Sequence, residues 1–341
     1  MITVMPKQSE KVIVNPGKGW FLLNFHGAPT DYSKEVLAIC SVGYQRFNWC
    51  DLEPEEGKIR WELIDNEIDA WAKLGKQYAF GVMPLNSSSP IKYKTPKWVF
   101  DAGAKYRIVK LEIHAKGEHV VPVFDDPVYL EKLRNFITAL GRRYDGNENI
   151  AFIDIRSFGN WGEGHMHPFN RHIDGGGYIS SEKLKEHIQI HLDAFKKTPL
   201  VLLWGVPQYN EVYDWAVEQG VGIRRDGICG NSDGSETLRA FGKTLAVFEF
   251  YADYETLKER GWWYGYSRDG RKGYGFKLID CVERGRPSYI GMDGRGGVES
   301  AEVFLKAERP LIEYLANRMG YHFVLIRATF ESTLQLGTEA T

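Results

Sequence analysis

Short apolar runs alternate with helical patterns along most of the chain, and this alternation predicts a parallel sheet with crossover helices. The runs are rich in β-branched and aromatic residues, which favour strands. Eight strands are predicted, at residues 20–25, 42–48, 78–84, 150–156, 200–206, 222–229, 244–250 and 287–293.

The segments between these strands carry helical patterns. One apolar stripe of the first helix is predicted to contain Leu63, Ile64, Ile68, Trp71 and Ala72, and Leu74-Gly75 is typical of a helix C-cap. Strands and helices in strict alternation indicate an α/β fold, a (β/α)8 TIM barrel, rather than a doubly wound sheet. No GxGxxG motif follows the first strand, so a dinucleotide-binding fold has no support. The helices are predicted at residues 62–74, 128–144, 181–196, 209–219, 234–241, 272–284 and 299–318.

Two segments depart from the regular spacing. Residues 86–127 form a long loop insertion after strand three, and their alternating residues around Lys116-Gly117 predict a β-hairpin. A long loop after a barrel strand lies on the catalytic face. Residues 321–341 alternate like strands and fit no barrel element. The sequence therefore predicts a catalytic barrel over 1–320 and a short C-terminal β extension, or the remnant of a small β domain, over 321–341.

Composition and charge exclude several classes of protein. The net charge is −2 and 26% of residues are charged, so nucleic acid is not expected as a partner. A 43% hydrophobic content excludes large-scale disorder, and no apolar run is long enough to predict a membrane span. The four cysteines have no CxxC spacing, which indicates neither a zinc site nor a disulfide framework. The N-terminal segment lacks a signal-peptide pattern, which leaves both a cytoplasmic location and a processed, exported form open.

Two glutamates follow the ends of predicted strands, where barrel enzymes carry their catalytic groups. Glu163 lies in a Gly-rich, Trp-flanked turn after strand four and is a candidate general acid. Glu249 lies in the otherwise apolar strand seven, where a carboxylate is costly to bury unless it is paired or functional. Strands four and seven face each other across a barrel, so the two carboxylates have the arrangement that glycosidic-bond cleavage needs. A structural ion pair at Glu249 and a solvated loop position for Glu163 are the alternative.

Other residues near the strand ends are candidates for binding a sugar. Arg46 would hold a carboxylate or donate to a hydroxyl, although a core ion pair with Asp154 is an alternative. His165 and His167 form an HxH pair without a third ligand at a telling spacing, so no metal and no other cofactor is expected. The candidate substrate-binding residues are His26, Arg46, Asn48, Trp49, Asn160, Trp161, His165, Trp204, Asp226, Tyr251 and Asp293.

Two stretches of the sequence resemble a known family. The first is Asn15-Pro16-Gly17-Lys18-Gly19-Trp20, and the second runs from Arg46 through Asn48, Trp49 and Glu53 to Gly57. With the Gly-Asn-Trp-Gly-Glu motif that ends at Glu163, they look like TIM-barrel glycoside hydrolases of clan A. More narrowly, the chain is similar to bacterial β-galactosidase-like and DUF4832-type proteins, over most of residues 15–320.

The resemblance implies Glu163 as acid/base and Glu249 as nucleophile of a retaining glycosidase acting on a β-linked glycoside, with a β-galactoside among the candidates. Most clan A enzymes carry Asn directly before the acid/base, whereas this chain has Gly162, and Asn160 is a candidate replacement. In an inverting alternative Asp226 or Asp293 acts as the base. A catalytically silent sugar-binding barrel is the other alternative. The expected partner is an oligosaccharide or glycoside, and a homo-oligomer stays open.

Overall fold

The computed structural model describes residues 1–9, 11–23, 29–292 and 297–331. Eight of its strands form a closed parallel barrel in the order β2-β3-β4-β7-β8-β9-β10-β11. The strands are β1 Ile2–Val4, β2 Gly19–Leu23, β3 Cys40–Asn48, β4 Gln77–Met83, β5 Tyr106–Leu111, β6 Gly117–Pro122, β7 Ile150–Ile155, β8 Leu200–Leu203, β9 Gly222–Ile228, β10 Ala246–Phe250, β11 Tyr289–Gly291 and β12 Ala328–Phe330. All eight predicted barrel strands are confirmed.

Helices follow the barrel strands and surround them. Asp126 caps the helix that begins at Pro127, because its carboxylate accepts from the backbone N–H groups of Val128 and Tyr129 and Pro127 occupies the first helical position. The helices are α1 Lys34–Ile39, α2 Trp49–Leu52, α3 Glu62–Ala72, α4 Lys97–Asp101, α5 Pro127–Tyr144, α6 Ser181–Ala194, α7 Asn210–Glu218, α8 Tyr254–Glu259, α9 Leu278–Gly285 and α10 Gly297–Arg318. Among the residues described, no helix is long and apolar enough to cross a membrane.

Three helices differ from the prediction. Residues 235–240 form a 3-10 helix rather than an α-helix. α9 begins only at Leu278, because Gly273 and Gly275 have positive φ and keep residues 272–277 in a loop. α10 bends at Glu308, two residues before Pro310, whose ring and missing N–H interrupt the helix.

Two small sheets lie outside the barrel. The antiparallel hairpin β5–β6 occupies the predicted insertion after β4, the third barrel strand, and its connection spans residues 112–116. β1 pairs antiparallel with β12, so an N-terminal segment joins the C-terminal β extension in one two-stranded sheet.

The barrel interior is divided into an apolar layer and a charged layer. Phe21, Phe152, Val247 and Tyr289 belong to the apolar layer, which is buried. Tyr44 on β3 connects the layers, since its ring packs edge-on against Phe21 while its hydroxyl donates to Asp154. The polar groups of the charged layer therefore lie directly above a packed apolar layer.

Candidate active site

The charged layer is built from alternate positions on every second strand of one part of the barrel. β3 contributes Tyr44 and Arg46, β7 and the residue after it contribute Asp154 and Arg156, and β9 contributes Arg224. Because side chains alternate between the faces of a strand, residues two apart point to the same side. That side is the barrel interior, where the side chains of Arg156, Arg224 and Asp154 are at most 1% exposed.

Glu163 and Glu249 face the same guanidinium group. Arg46 Nη1 lies 3.2 Å from Glu163 Oε1, and Arg46 Nη2 lies 2.5 Å from Glu249 Oε2. All three side chains are almost completely buried. The two candidate catalytic carboxylates, which come from opposite sides of the barrel, therefore meet over one arginine.

Arg224 forms a second bridge between these carboxylates. Its Nη2 contacts Glu249 Oε2 and lies 3.8 Å from Glu163 Oε1. The same nitrogen is 2.7 Å from Asp226 Oδ2, while Nη1 is 3.0 Å from Asp154 Oδ2. Arg224 therefore joins the carboxylates at the cleft to the charged layer beneath them.

Arg156 fixes the loop that carries Glu163. Its Nε donates to Asp154 Oδ2 and to Tyr44 Oη, both at 2.8 Å, and its Nη1 donates to the carbonyl oxygen of Trp161 at 2.5 Å. Gly81 on β4 leaves room for this side chain, since an added Cβ there would lie 2.7 Å from Arg156 Cδ. The buried guanidinium of Arg156 thus fixes the backbone at Trp161, two residues before Glu163.

Gly162 is required by this packing. Its φ is +67°, and an added Cβ would lie 2.2 Å from Arg156 Cβ and 2.3 Å from the Arg156 carbonyl oxygen. Any side chain here would collide with Arg156. This is the physical reason why the residue before Glu163 is glycine rather than the asparagine of the clan A pattern.

Asn160 does not replace that asparagine. It is fully buried, its amide nitrogen donates to Ser87 Oγ and to the His167 carbonyl, and its oxygen accepts from the Ser87 backbone N–H. All of its polar atoms are used inside the protein. Asn160 therefore ties the Glu163 loop to the insertion and has no group left for a substrate.

A cleft of about 790 Å³ opens above the charged layer. Its lining includes Glu163, Glu249 and six of the candidate binding residues, namely Arg46, Asn48, Trp161, His165, Asp226 and Tyr251. Ser88, Ser89 and Pro90 from the insertion also line it, and His114 of the hairpin connection stacks on Trp161 with ring centroids 5.4 Å apart. The insertion therefore supports one wall of the cleft.

Two predicted aromatic contacts belong to the core instead. Trp49 is 1% exposed, stacks on Phe136 and donates through its indole N–H to Glu53. Trp204 is also buried, with its ring 5.0 Å from that of Tyr213 and under the guanidinium of Arg239. Neither ring is available to a sugar. His26 and Asp293 lie outside the described residues.

Burial changes the acid–base behaviour of the groups around the glutamates. It raises the pKa of Asp226 to about 8, against the opposing charge of Arg224 and together with the repulsion of Glu249. Burial also raises the pKa of Tyr44 well above its usual value, and Asp154 adds to the rise, so this phenol stays protonated. Asp226 thus binds a proton more readily than a solvent-exposed aspartate.

His165 lies beside the candidate acid. Its Nε2 is 3.4 Å from Glu163 Oε2, and its ring packs edge-on against Trp161 at 5.7 Å. Within the described ranges, no three His, Cys, Asp or Glu side chains are grouped as metal ligands.

Sequence reasoning did not assign roles to Tyr44, Arg156 and Arg224. A signal was present, because polar residues occur two apart along these segments and so lie on one face, as with Tyr44 and Arg46 or Arg224 and Asp226. What the sequence could not give is the pairing of charges from β3, β7, β9 and β10, which depends on barrel closure.

The chain is similar in sequence to known proteins over about a third of its length. A family model described as beta-galactosidase, glycoside hydrolase 42, matches residues 32–158, which end before both glutamates. The β-galactosidase of Thermus thermophilus is 32% identical over 107 residues, which are 31% of this chain and 15% of that protein. A β-galactosidase from another Thermus species is 30% identical over 117 residues, 34% of this chain and 17% of that protein. The matched regions are therefore less than a fifth of those relatives' lengths.

Solved structures are similar over most of the chain. An exo-beta-1,4-mannosidase from Opitutaceae bacterium strain TAV5 has a TM-score of 0.52 at 12% identity, covering 92% of this chain and 63% of its own. A β-galactosidase from Rahnella sp. R3 has a TM-score of 0.52 at 14% identity, covering 91% and 58%. At these identities the likeness concerns the fold alone. Together with the closed barrel, it shows that the chain has the fold of the TIM-barrel glycoside hydrolases to which it is similar.

Proposed function

We propose that this protein hydrolyses a β-linked glycoside with retention of configuration, using Glu163 as acid/base and Glu249 as nucleophile. The observation that carries the proposal is the pair of carboxylates over Arg46 and Arg224 on the floor of the cleft. Two carboxylates that flank one bond are the groups that glycosidic cleavage requires.

The spacing of the carboxylates supports the retaining course. Glu163 Oε1 and Glu249 Oε2 both approach Arg224 Nη2, one at 3.8 Å and the other in direct contact. These two oxygens are therefore no more than about 6 Å apart, an upper limit that is compatible with the ~5–5.5 Å between the carboxyl groups of retaining enzymes. Direct attack by Glu249 on the anomeric carbon fits this separation.

In the proposed reaction Glu163 protonates the glycosidic oxygen as Glu249 attacks, and a covalent glycosyl–enzyme forms. Glu163 then takes a proton from water, which displaces Glu249 and releases the sugar in its original configuration. Arg46 and Arg224 hold the Glu249 carboxylate in position through charge-assisted hydrogen bonds. His165 and Trp161, on the wall next to Glu163, are placed to contact the leaving group.

A panel of nitrophenyl α- and β-glycosides tests this function. The relatives named above are β-galactosidases and a β-mannosidase, so the galactoside and mannoside come first. We expect turnover of at least one β-glycoside, with loss of about 10²-fold or more in Glu249→Gln. Glu313→Gln, an exposed change on α10, serves as the matched control and keeps full activity. Cleavage of α-glycosides alone, or equal activity in Glu249→Gln and the control, would contradict the proposal.

A further inference from the structure

The loop between β10 and α9, residues 251–277, forms a second aromatic surface beside the cleft; we call it the rim loop. It follows a barrel strand and therefore lies on the catalytic face. Tyr254, Trp262 and Trp263 anchor it, because all three are buried. Tyr264 and Tyr266 differ, since 42% and 47% of their surface is exposed.

A continuous line of contacts connects the cleft with these tyrosines. Tyr251 lines the cleft, and its ring lies 5.6 Å from that of Tyr274 in an edge-on arrangement. The next residue, Gly275, donates its N–H to the carbonyl of Gly230, which directly precedes the cleft residue Asn231. Gly275 also packs on the backbone of Tyr266, whose carbonyl oxygen would lie 2.6 Å from an added Cβ. These contacts thus link the cleft wall to the backbone of Tyr266.

The two exposed tyrosines are held in a defined orientation. Their rings are nearly parallel, with an interplanar angle of 22° and centroids 6.0 Å apart. Arg268 donates through Nη2 to Tyr266 Oη at 3.0 Å and lies within cation–π distance of both rings. Two exposed rings held side by side on the catalytic face form an apolar patch of the kind that binds ligands.

We propose that the Tyr264–Tyr266 pair binds sugar units of an extended glycan chain whose end occupies the cleft. The rings offer apolar faces to the C–H face of a pyranose, and the phenol and guanidinium groups offer donors to its hydroxyls. The proposed occupant is therefore a polysaccharide or a long oligosaccharide, since its end lies in the cleft while other units reach the rim loop. This inference rests on the proposed function for its substrate class, but the surface itself lies outside the catalytic groups.

Affinity electrophoresis with soluble galactan, galactomannan and xylan tests the proposal. All proteins carry Glu163→Gln, so that the polymer is not consumed. The double variant Tyr264→Ala/Tyr266→Ala removes both rings, and Tyr264→Phe/Tyr266→Phe keeps the rings as the matched control. We expect at least one polymer to retard the parent and the Phe control, and its Kd to rise about tenfold in the Ala variant. Thermal melting curves check that each variant is folded.

The outcomes separate this inference from the proposed function. Retention of polymer binding by the folded Ala variant, or no retardation of the parent by any polymer, overturns the rim-loop surface. With Glu163 restored, the Ala variant is expected to cleave a short nitrophenyl glycoside as fast as the wild-type protein. Selective loss of polymer binding supports the surface even if the nitrophenyl panel gives no turnover, a result that would contradict only the proposed function.

Discussion

Glu163, the proposed acid/base, lies beside Arg46 and His165 on the wall of the cleft. Glu163→Gln keeps the shape and removes the proton. We expect activity on glycosides with poor leaving groups to fall by about 10²–10⁴-fold, and activity on activated nitrophenyl glycosides to fall much less, because those leaving groups need little protonation. Steady-state kinetics on both substrate types checks this. An equal loss on both would remove Glu163 from the acid role.

Asp226 gives the cleft a pH-dependent contribution to stability. Its pKa is raised from 3.8 to about 8 by burial, so the folded protein stabilises the neutral acid. This stabilisation is complete below the ordinary pKa and is lost progressively as the pH rises through about 8. Asp226→Asn is always neutral, so its melting temperature relative to wild type should rise between about pH 5 and 8 and then level off.

Differential scanning fluorimetry at a series of pH values measures this difference. Asp214→Asn, an exposed aspartate on α7, is the matched control and should follow the wild-type curve. A constant offset between Asp226→Asn and wild type over the whole range would show that Asp226 titrates normally.

Among the elements, the loop after β7 determines the position of Glu163 in the cleft. Gly162 has a positive φ and packs on Arg156, so Gly162→Ala must push apart the loop and the arginine. We expect activity to fall at least about 10²-fold, because catalytic groups tolerate little displacement. Gly175→Ala is a control with a similar positive φ but no neighbour within 4 Å of an added Cβ. The turnover of a nitrophenyl glycoside is measured in both variants. Equal activity in the two would show that the Glu163 loop tolerates the added methyl group.

The strands were predictable because their apolar runs and intervening amphipathic helices have strong periodicity. The start of α9 after Gly273 and Gly275 and the bend of α10 near Pro310 were harder to predict, since local backbone geometry overrides the periodicity there. Glu163 and Glu249 stood out as polar residues at strand ends. Trp49 and Trp204 were misassigned, because an indole beside polar residues in sequence does not reveal which way the ring packs.

On the scale of the whole barrel, the charged layer joins strands from most of its circumference. Arg156→Met leaves Asp154 without one of its buried partners and the Trp161 carbonyl without its donor. We expect the free energy of unfolding to fall by about 3–5 kcal/mol, the usual effect of breaking a buried ion pair. Arg309→Met, which removes an exposed ion pair on α10, is the control and should change it by less than about 1 kcal/mol. Urea unfolding of both variants measures this. Similar small losses in the two would mean that the layer contributes little to the barrel.

Trapping of the glycosyl–enzyme is the most direct test of the central claim that Glu163 and Glu249 act as a retaining pair. A 2-deoxy-2-fluoro β-glycoside of the sugar selected by the panel slows turnover of the covalent intermediate, and mass spectrometry of the digested protein locates the label. The account predicts one adduct, on Glu249. Labelling of Asp226 instead, or no adduct together with a product of inverted configuration from the wild-type enzyme, would contradict it.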